Sequence, residues 1–469
     1  AAAAKADRVN VRSLLNRVVK SRFARDVGVM SAGTLAAQAI NVLSIPILTR
    51  LYEPSAFGLL GLFYAWTMIV SPAIAAKFDE SLIVVEPFED VARMVHVALL
   101  SALALSLMSF LAIIAIELWA PDILDREGFA IAATLLPLSF FLYGVYNVGV
   151  YYAVRKQSFR QVAVQKVLQA VVMALAGVTF YLLGFTQLGL VLGSVVGIAV
   201  ATVLLFRSVG LPISLAQFGR LRELADVARR YFGFPAYSAT GAIFNGLGYH
   251  MPMLAISSFF SRTIVGHYAL LTRVAFAPLG FLSIGIGHVH VRKVAELART
   301  GGKIVPYLLS LMGAFAGVVA VPSVVLFLWA PPIFAFAFGE TWRDAGSYLQ
   351  ILMPALALRL VVTTFGGTLE ATRNNHYAFA WKVLAFVSTL AVFLWFGPMG
   401  DIELLLKAML VNDLVLYSIF FGLIVLAAWR PRVDVVPSAS GSNASPAGTA
   451  PGGAHASVVE PTAKPAGEP

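Results

Sequence analysis

The chain has 469 residues, of which 59% are hydrophobic and only 12% charged, and this composition excludes an ordinary water-soluble domain. A net charge of +10 would indicate nucleic acid in a soluble protein. Here the lysines and arginines collect in alternate loops between apolar runs, as membrane orientation requires, so we expect no nucleic-acid partner. The absence of cysteine excludes disulfides and thiolate metal sites.

The N-terminal segment 1–25 mixes bulky apolar residues with seven cations, which predicts a basic amphipathic arm on the cytoplasmic membrane surface. A simple positive flank of the first span is the alternative. Twelve apolar runs follow, each long enough to cross the hydrocarbon core of a bilayer. They cover 27–49, 57–76, 91–116, 130–152, 163–183, 186–206, 234–258, 264–290, 304–330, 346–367, 378–397 and 404–428.

These runs predict an all-α polytopic membrane protein with two six-helix lobes around a central cavity. We place the N-terminal lobe at 26–206, a basic cytoplasmic connector at 207–233 and the C-terminal lobe at 234–428. The segment 429–469 is rich in Pro, Ala, Gly and Ser, so we expect a disordered cytoplasmic tail. Because 27 of the 34 lysines and arginines fall in the termini and in alternate loops, both termini are predicted to be cytoplasmic.

The two halves repeat each other at a nearly constant offset. Pro46 and Pro72 of the first half are matched by two prolines with the same spacing in the second half. Arg155 is matched by Arg373, and the sequence Lys-Val-Leu at 166–168 reappears at 382–384. Each repeat has an even number of spans, so the halves share one topology and are related by an axis along the membrane normal. Rocking of the two lobes about a central cavity follows from this arrangement.

Charged residues inside spans are the strongest functional signal. Arg273 and Arg359 lie within apolar runs, where an arginine costs about 2.5 to 3.5 kcal/mol on insertion scales. A guanidinium suits phosphate, so both are candidate anion ligands, with a structural cap or a carbonyl partner as the alternative. Asp413 and His250 are candidates for coupling to an ion or proton, and packing or pairing with another helix is the alternative.

The loops offer little for catalysis. No combination of side chains typical of an enzyme or of a metal site is convincing, so we expect a transporter without a cofactor. Arg50 follows the first span, and Lys77, Asp79 and Glu80 close the second. These four are candidates for a gate or for contact with a lipid headgroup. For the last three, a locally salt-bridged helix end is the alternative.

Several segments carry a family resemblance. Residues 48–58 read Leu-Thr-Arg-Leu-Tyr-Glu-Pro-Ser-Ala-Phe-Gly, residues 77–83 read Lys-Phe-Asp-Glu-Ser-Leu-Ile, and Val-Gly-His-Tyr-Ala-Leu at 265–270 leads through Arg273 to Pro278-Leu279. Over roughly 25–428 the chain resembles bacterial polysaccharide repeat-unit flippases of the Wzx type, in the multidrug/oligosaccharidyl-lipid/polysaccharide exporter superfamily. The family often shows Arg-Tyr-Glu after the second span, where this chain has Lys77-Phe78-Asp79-Glu80.

The resemblance implies a function. It predicts a flippase that moves an undecaprenyl-pyrophosphate-linked oligosaccharide from the cytoplasmic to the periplasmic leaflet of a bacterial inner membrane by alternating access. The product would serve O-antigen, capsule or exopolysaccharide synthesis, with membrane lipid, a polysaccharide polymerase and a chain-length regulator as candidate partners. Coupling to an H⁺ or Na⁺ gradient or to the membrane potential is also a candidate. A cation-coupled multidrug exporter on the same fold and a membrane scaffold of a polysaccharide export complex are the alternatives.

Overall fold

The computed structural model describes residues 22–86, 88–120 and 129–432. The predicted basic arm therefore lies largely outside the described residues, as does the tail from residue 433 onward. Within α-helices, no side chain is described for residues 22–27, 88, 276–282 and 284.

The described residues form twelve long helices, and the all-α polytopic prediction is confirmed. Among the described residues, ten candidate spans are long and apolar enough to cross a membrane by length and composition alone. The long helices are α1 (Arg22–Leu51), α2 (Pro54–Val70), α3 (Phe88–Trp119), α4 (Leu136–Arg155), α5 (Phe159–Leu182), α6 (Gly189–Val209), α7 (Thr240–Phe259), α8 (Arg262–Thr300), α9 (Ile304–Phe338), α10 (Arg343–Thr364), α11 (Asn375–Phe396) and α12 (Ile402–Trp429).

Short helical segments join the long helices. The α-helical ones are Phe78–Ser81, Ala130–Ala133, Leu215–Phe218, Leu221–Arg230 and Thr368–Ala371. Ser71–Ala73, Glu340–Trp342 and Gly397–Met399 are 3₁₀ turns, and Phe234–Ala239 is a π-helical segment that leads into α7. Local sequence explains the boundaries: Pro54 occupies the first turn of α2, and the Asp401 carboxylate accepts the Leu404 amide 3.1 Å away to cap α12.

The helix boundaries confirm the internal repeat and refine its register. One offset relates the α1–α2 junction to the α7–α8 junction, and a slightly larger one relates the start of α5 to the start of α11. Gln157 and Arg373 share the larger offset and the same left-handed conformation, with φ of 55° and 57°. The pairing of Arg155 with Arg373 was therefore wrong by two residues, because equivalent loop positions are fixed by backbone conformation and not by charge. The proline matches are likewise two residues off the smaller offset, whereas the match of Lys166 with Lys382 keeps the larger one.

The two lobes cross at a pair of equivalent glycines. A Cβ on Gly58 of α2 would lie 2.0 Å from the Arg262 carbonyl oxygen, and a Cβ on Gly266 of α8 would be closer still to the Pro54 carbonyl oxygen. Pro54 begins α2 and Arg262 begins α8, and each glycine follows at the same distance along its helix, so each half makes the same contact with the other. We call this contact the glycine crossing; it lies on the pseudo-two-fold axis.

An aromatic cluster closes the same end of the bundle, which we call the Trp342 end. Trp342 follows α9, is fully buried, and donates its indole N–H to the Thr49 carbonyl oxygen in the other lobe at 3.0 Å. Its ring meets Phe57 edge to face at 4.8 Å between centroids. His267 donates a hydrogen bond from Nε2 to the Thr341 carbonyl oxygen at 3.1 Å and so supports the turn that contains Trp342. One hydrophobic core therefore runs through both lobes at this end.

The opposite end, the connector end, is organised differently. The short helix at 221–230 is held on α3 because Asp90 accepts from both Arg93 and Arg230 at 2.8 Å. His96 accepts the Ser214 amide at 3.1 Å, so the connector is fixed to the N-terminal lobe. The C-terminal lobe here has a separate core, which includes Phe315 and Phe365. With two cores instead of one, the lobes diverge toward the connector end.

The glycine crossing generates the first prediction. Gly266→Ala or Gly58→Ala would place a methyl group against backbone, so each should lower the free energy of unfolding by about 1–3 kcal/mol, as overpacking does. Gly313→Ala in α9 is the matched control, because a Cβ there meets nothing within 4 Å and alanine favours a helix. Thermal unfolding in detergent is the measurement. Equal unfolding midpoints for wild type and the crossing variants would contradict the described contact.

Candidate functional site

A large cavity lies between the lobes. Its volume is 1360 Å³, above the roughly 300–1,000 Å³ of a typical small-ligand pocket. Its wall begins beneath the closed Trp342 end, at Phe57 and Met409, and continues to Thr34 and Phe379 toward the connector end. Both lobes line it, so a relative movement of the lobes would reshape it.

Arg273 reaches this cavity from α8. It lies 11 residues from the start of the helix, about 16 Å along the axis and hence near mid-membrane. Its guanidinium carbon is 5.5 Å from the centre of the Tyr64 ring on the opposite lobe, within cation–π range. Among the described residues, no carboxylate forms an ion pair with Arg273 within 4 Å. An aromatic ring stabilises the charge while leaving most of the donor N–H groups for another partner.

Arg359 forms a second cationic position on the C-terminal side. Its guanidinium carbon lies 5.7 Å from the Tyr249 ring centre and 5.8 Å from that of Tyr417. Asp413 lines the same wall, interacts electrostatically with Arg359, and receives a 3.4 Å hydrogen bond from Asn412. The structure therefore places the sequence-predicted anion ligand Arg359 beside the predicted coupling carboxylate.

Two lysines add positive charge nearer the connector end. Lys166 and Lys382 occupy equivalent positions in the repeat and both line the cavity. Each lies seven residues from the start of its helix, about 10 Å from the connector end. Lys166 donates to the Thr34 hydroxyl at 3.2 Å. The repeat in the sequence revealed this pair, but sequence reasoning counted both lysines as loop charges and missed that they face a cavity.

The other candidates take different places. His250 lines the cavity, half-buried, with its ring 5.0 Å from that of Tyr249. Arg50 lies at the Trp342 end, where it donates to the Phe336 carbonyl oxygen of the other lobe at 3.4 Å. Lys77 and Glu80 form a local ion pair, and Tyr151 donates to Glu80 at 3.1 Å. Neither residue of that ion pair lines the cavity, nor does Asp79, and a gate or headgroup role for the three stays a prediction.

The cavity lining is poorly suited to binding a cation. In the described part of the chain, Asp413 is the one carboxylate of the cavity wall, against Arg273, Arg359, Lys166 and Lys382. The described residues also contain no group of three His, Cys, Asp or Glu side chains that could hold a metal ion. The arrangement is therefore suited to a bulky anion, which four cations can meet at different depths.

Comparisons with known proteins agree with this architecture. Residues 47–347 match the family described as polysaccharide biosynthesis protein. No curated protein matches the sequence. The fold is similar to an inward-facing multidrug resistance MATE family transporter of the MOP superfamily, with 16% identity, a TM-score of 0.62, and coverage of 84% of this chain and 96% of that one.

Two further structures extend the comparison. The lipid II flippase MurJ in an inward closed conformation is 11% identical, with a TM-score of 0.63 and coverage of 85% of this chain and 90% of that one. An outward-facing multidrug resistance MATE family transporter is 14% identical, with a TM-score of 0.50 and coverage of 87% and 96%. The fold is thus shared with these transporters, and its TM-score is higher with the two inward conformations than with the outward one.

Asp79 generates a prediction about pH. Burial raises the pKa of this carboxyl to about 6, against a smaller lowering by Lys77, and one carboxyl oxygen has no hydrogen-bond partner among the described residues. Because the pKa in the folded state exceeds the ordinary value of 3.8, folding favours the protonated form. This contribution to stability is fully present below about pH 4 and is lost as the pH rises through about 6.

Asp79→Asn should remove this pH dependence. The variant should unfold at a higher temperature than wild type at pH 7.5, and the difference should shrink as the pH is lowered to 5. Thermal unfolding of both proteins in detergent across this range is the measurement, and subtracting the two curves cancels all shared titrations. A difference in midpoint that stays constant with pH would contradict the assignment.

Proposed function

Because the chain belongs to the polysaccharide biosynthesis protein family, we propose that it is a flippase for an undecaprenyl-pyrophosphate-linked oligosaccharide. The protein is a multi-pass membrane protein. Its proposed activity is transport, not catalysis. It turns the lipid-linked repeat unit from the cytoplasmic to the periplasmic leaflet of a bacterial inner membrane. The repeat unit then serves O-antigen, capsule or exopolysaccharide synthesis, where a polymerase and a chain-length regulator would act on it.

The observation that carries the proposal is the charge of the cavity. Arg273 and Arg359 lie deep in the membrane and rest on tyrosine rings, which stabilise the cations without neutralising them. A pyrophosphate offers several oxygens to such donors, and arginine binds phosphate oxygens in a fork. A cavity for a cationic drug would require several carboxylates, whereas Asp413 is the only carboxylate among the described residues of the wall. The cavity chemistry therefore favours the lipid-linked anion over the multidrug alternative.

The direction of transport rests on orientation. With the cation-rich connector end placed in the cytoplasm, the divergent lobes admit a headgroup from the cytoplasmic side while Trp342 closes the periplasmic side. The likeness to an inward-facing MATE family transporter supports this orientation. Outward movement of an anion across an inside-negative membrane is favourable by about 2.3 kcal/mol per charge per 100 mV. Opening of the Trp342 end would then release the headgroup to the periplasm.

A coupling step has a natural location beside Arg359. In this conformation Asp413 interacts electrostatically with Arg359. When a pyrophosphate binds the Arg359 guanidinium in its place, the Asp413 carboxylate loses this charge partner. Asp413 then becomes an acceptor for a proton or Na⁺, with His250 nearby in the same wall. We propose this exchange as the link between substrate binding and an ion gradient.

Arg273 provides the direct test. Arg273→Lys should retain part of the export because a point charge remains, whereas Arg273→Ala and Arg273→Glu should reduce export at least tenfold and cause lipid-linked repeat units to accumulate. Arg299→Ala, at the far end of the same helix and exposed, is the matched control and should export normally.

The amount of folded protein in the membrane must be measured beside the accumulated lipid-linked precursor. Normal abundance with accumulated precursor supports a substrate role for Arg273. Loss of the folded protein itself would show that the arginine is a structural cap. Full export by Arg273→Ala would remove it from the mechanism and favour the multidrug exporter.

A further inference from the structure

The two lobes share one backbone plan, but their cavity walls differ in chemistry. In the register that aligns α5 with α11, the repeat places Tyr143 of the N-terminal lobe at the position that Arg359 occupies in the other lobe. Tyr143 lies on the Tyr64 side of the cavity, where Gln169 reaches its hydroxyl at 3.5 Å. The deep membrane charge of the C-terminal lobe is thus replaced by neutral hydroxyl and amide groups in the N-terminal lobe.

Helix α1 shows the same contrast over a longer distance. Four polar residues line the cavity from one face of this helix at spacings of four, three and three residues, and we call them the α1 polar face: Thr34, Gln38, Asn41 and Ser44. The face extends about 15 Å along the helix. The equivalent positions of α7, in the register of the glycine crossing, hold Ala242, Gly246, Tyr249 and Pro252. Helix α7 lines the cavity with Asn245, Tyr249 and His250 among glycine and apolar residues, so a row of four neutral polar residues along one helix face occurs on α1 and not on α7.

Hydrogen bonding within the α1 polar face leaves its centre open. Thr34 is held between Lys166 and the Met30 carbonyl oxygen, and Ser44 donates to the backbone at Asn41. The Asn41 side-chain oxygen is buried and has no hydrogen-bond partner among the described residues. A buried acceptor without a donor is costly, so this position favours a ligand that brings a hydroxyl or N–H group. Gln38 is exposed to the cavity one turn away and offers both a donor and an acceptor.

We propose that the α1 polar face is a subsite for uncharged, hydroxyl-bearing sugars of the substrate. Hydroxyl groups both donate and accept, and side-chain amides and hydroxyls match them without a fixed charge. The inference rests on the proposed flippase function and deepens it: the C-terminal lobe holds the pyrophosphate at Arg273 and Arg359, and the N-terminal lobe selects the glycan. The substrate would then bridge both lobes, which must separate or rotate to release it.

The test compares two lipids that differ only in the sugar. The full chain in detergent is titrated with undecaprenyl pyrophosphate and with undecaprenyl pyrophosphate bearing one N-acetylglucosamine, and the apparent Kd of each is measured by native mass spectrometry. Wild type should bind the sugar-bearing lipid about tenfold more tightly, a difference of about 1.4 kcal/mol. The variant with Gln38→Leu and Asn41→Leu should bind both lipids equally, at the wild-type affinity for the bare lipid.

Controls separate this subsite from the wider proposal. Asn245→Leu removes a cavity amide from α7 in the other lobe and should keep the tenfold preference. Retention of the preference in the Gln38/Asn41 variant would overturn the subsite, as would loss of affinity for the bare lipid in that variant. If wild type binds bare undecaprenyl pyrophosphate but shows no preference for the sugar-bearing lipid, the subsite proposal is wrong while the proposed function stands. Failure of wild type to bind either lipid overturns the proposed function as well.

Discussion

The close backbone contact between Gly58 and Gly266 determines how the two lobes meet. At each glycine, a carbonyl oxygen of the other half occupies the space that a Cβ would fill. The crossing can therefore form only where both residues lack a side chain. The approach brings Thr49 and Phe57 of one lobe within reach of Trp342 from the other. One continuous core then seals this end, and the lobes separate toward the other end, where the cavity lies between them.

The backbones of the two lobes are related by pseudo-two-fold symmetry, but the side chains at equivalent positions of the cavity wall differ. Tyr143 and Arg359 occupy equivalent positions, so at this depth the N-terminal wall is neutral and the C-terminal wall is charged, while Lys166 and Lys382 place one cation on each wall nearer the connector end. A symmetric cavity would treat both ends of a ligand alike. A lipid-linked glycan has a doubly charged group next to an uncharged chain of sugars, and the asymmetric cavity offers a different surface to each part.

Much of the fold could be predicted from the sequence, because lipid requires long apolar helices and the number of apolar runs equals the number of long helices among the described residues. Arg273, Arg359 and Asp413 were also predictable, since a charge in an apolar run is costly without a functional or structural reason. The glycine crossing and Trp342 were not, because a glycine in an apolar helix or a tryptophan in a short turn has many structural roles. The α1 polar face was missed for a related reason: single neutral polar residues do not interrupt a hydrophobic run.

The central claim is that the cavity carries a lipid-linked anion across the membrane. The most direct measurement reconstitutes the purified chain in liposomes with undecaprenyl pyrophosphate bearing N-acetylglucosamine in one leaflet, imposes a membrane potential, and follows access of the sugar to an added lectin on the other side. We expect access to appear only with the protein, and faster when the potential draws anions toward the lectin. Equal access in protein-free liposomes, or protein that moves cationic dyes and leaves this lipid in place, would contradict the account.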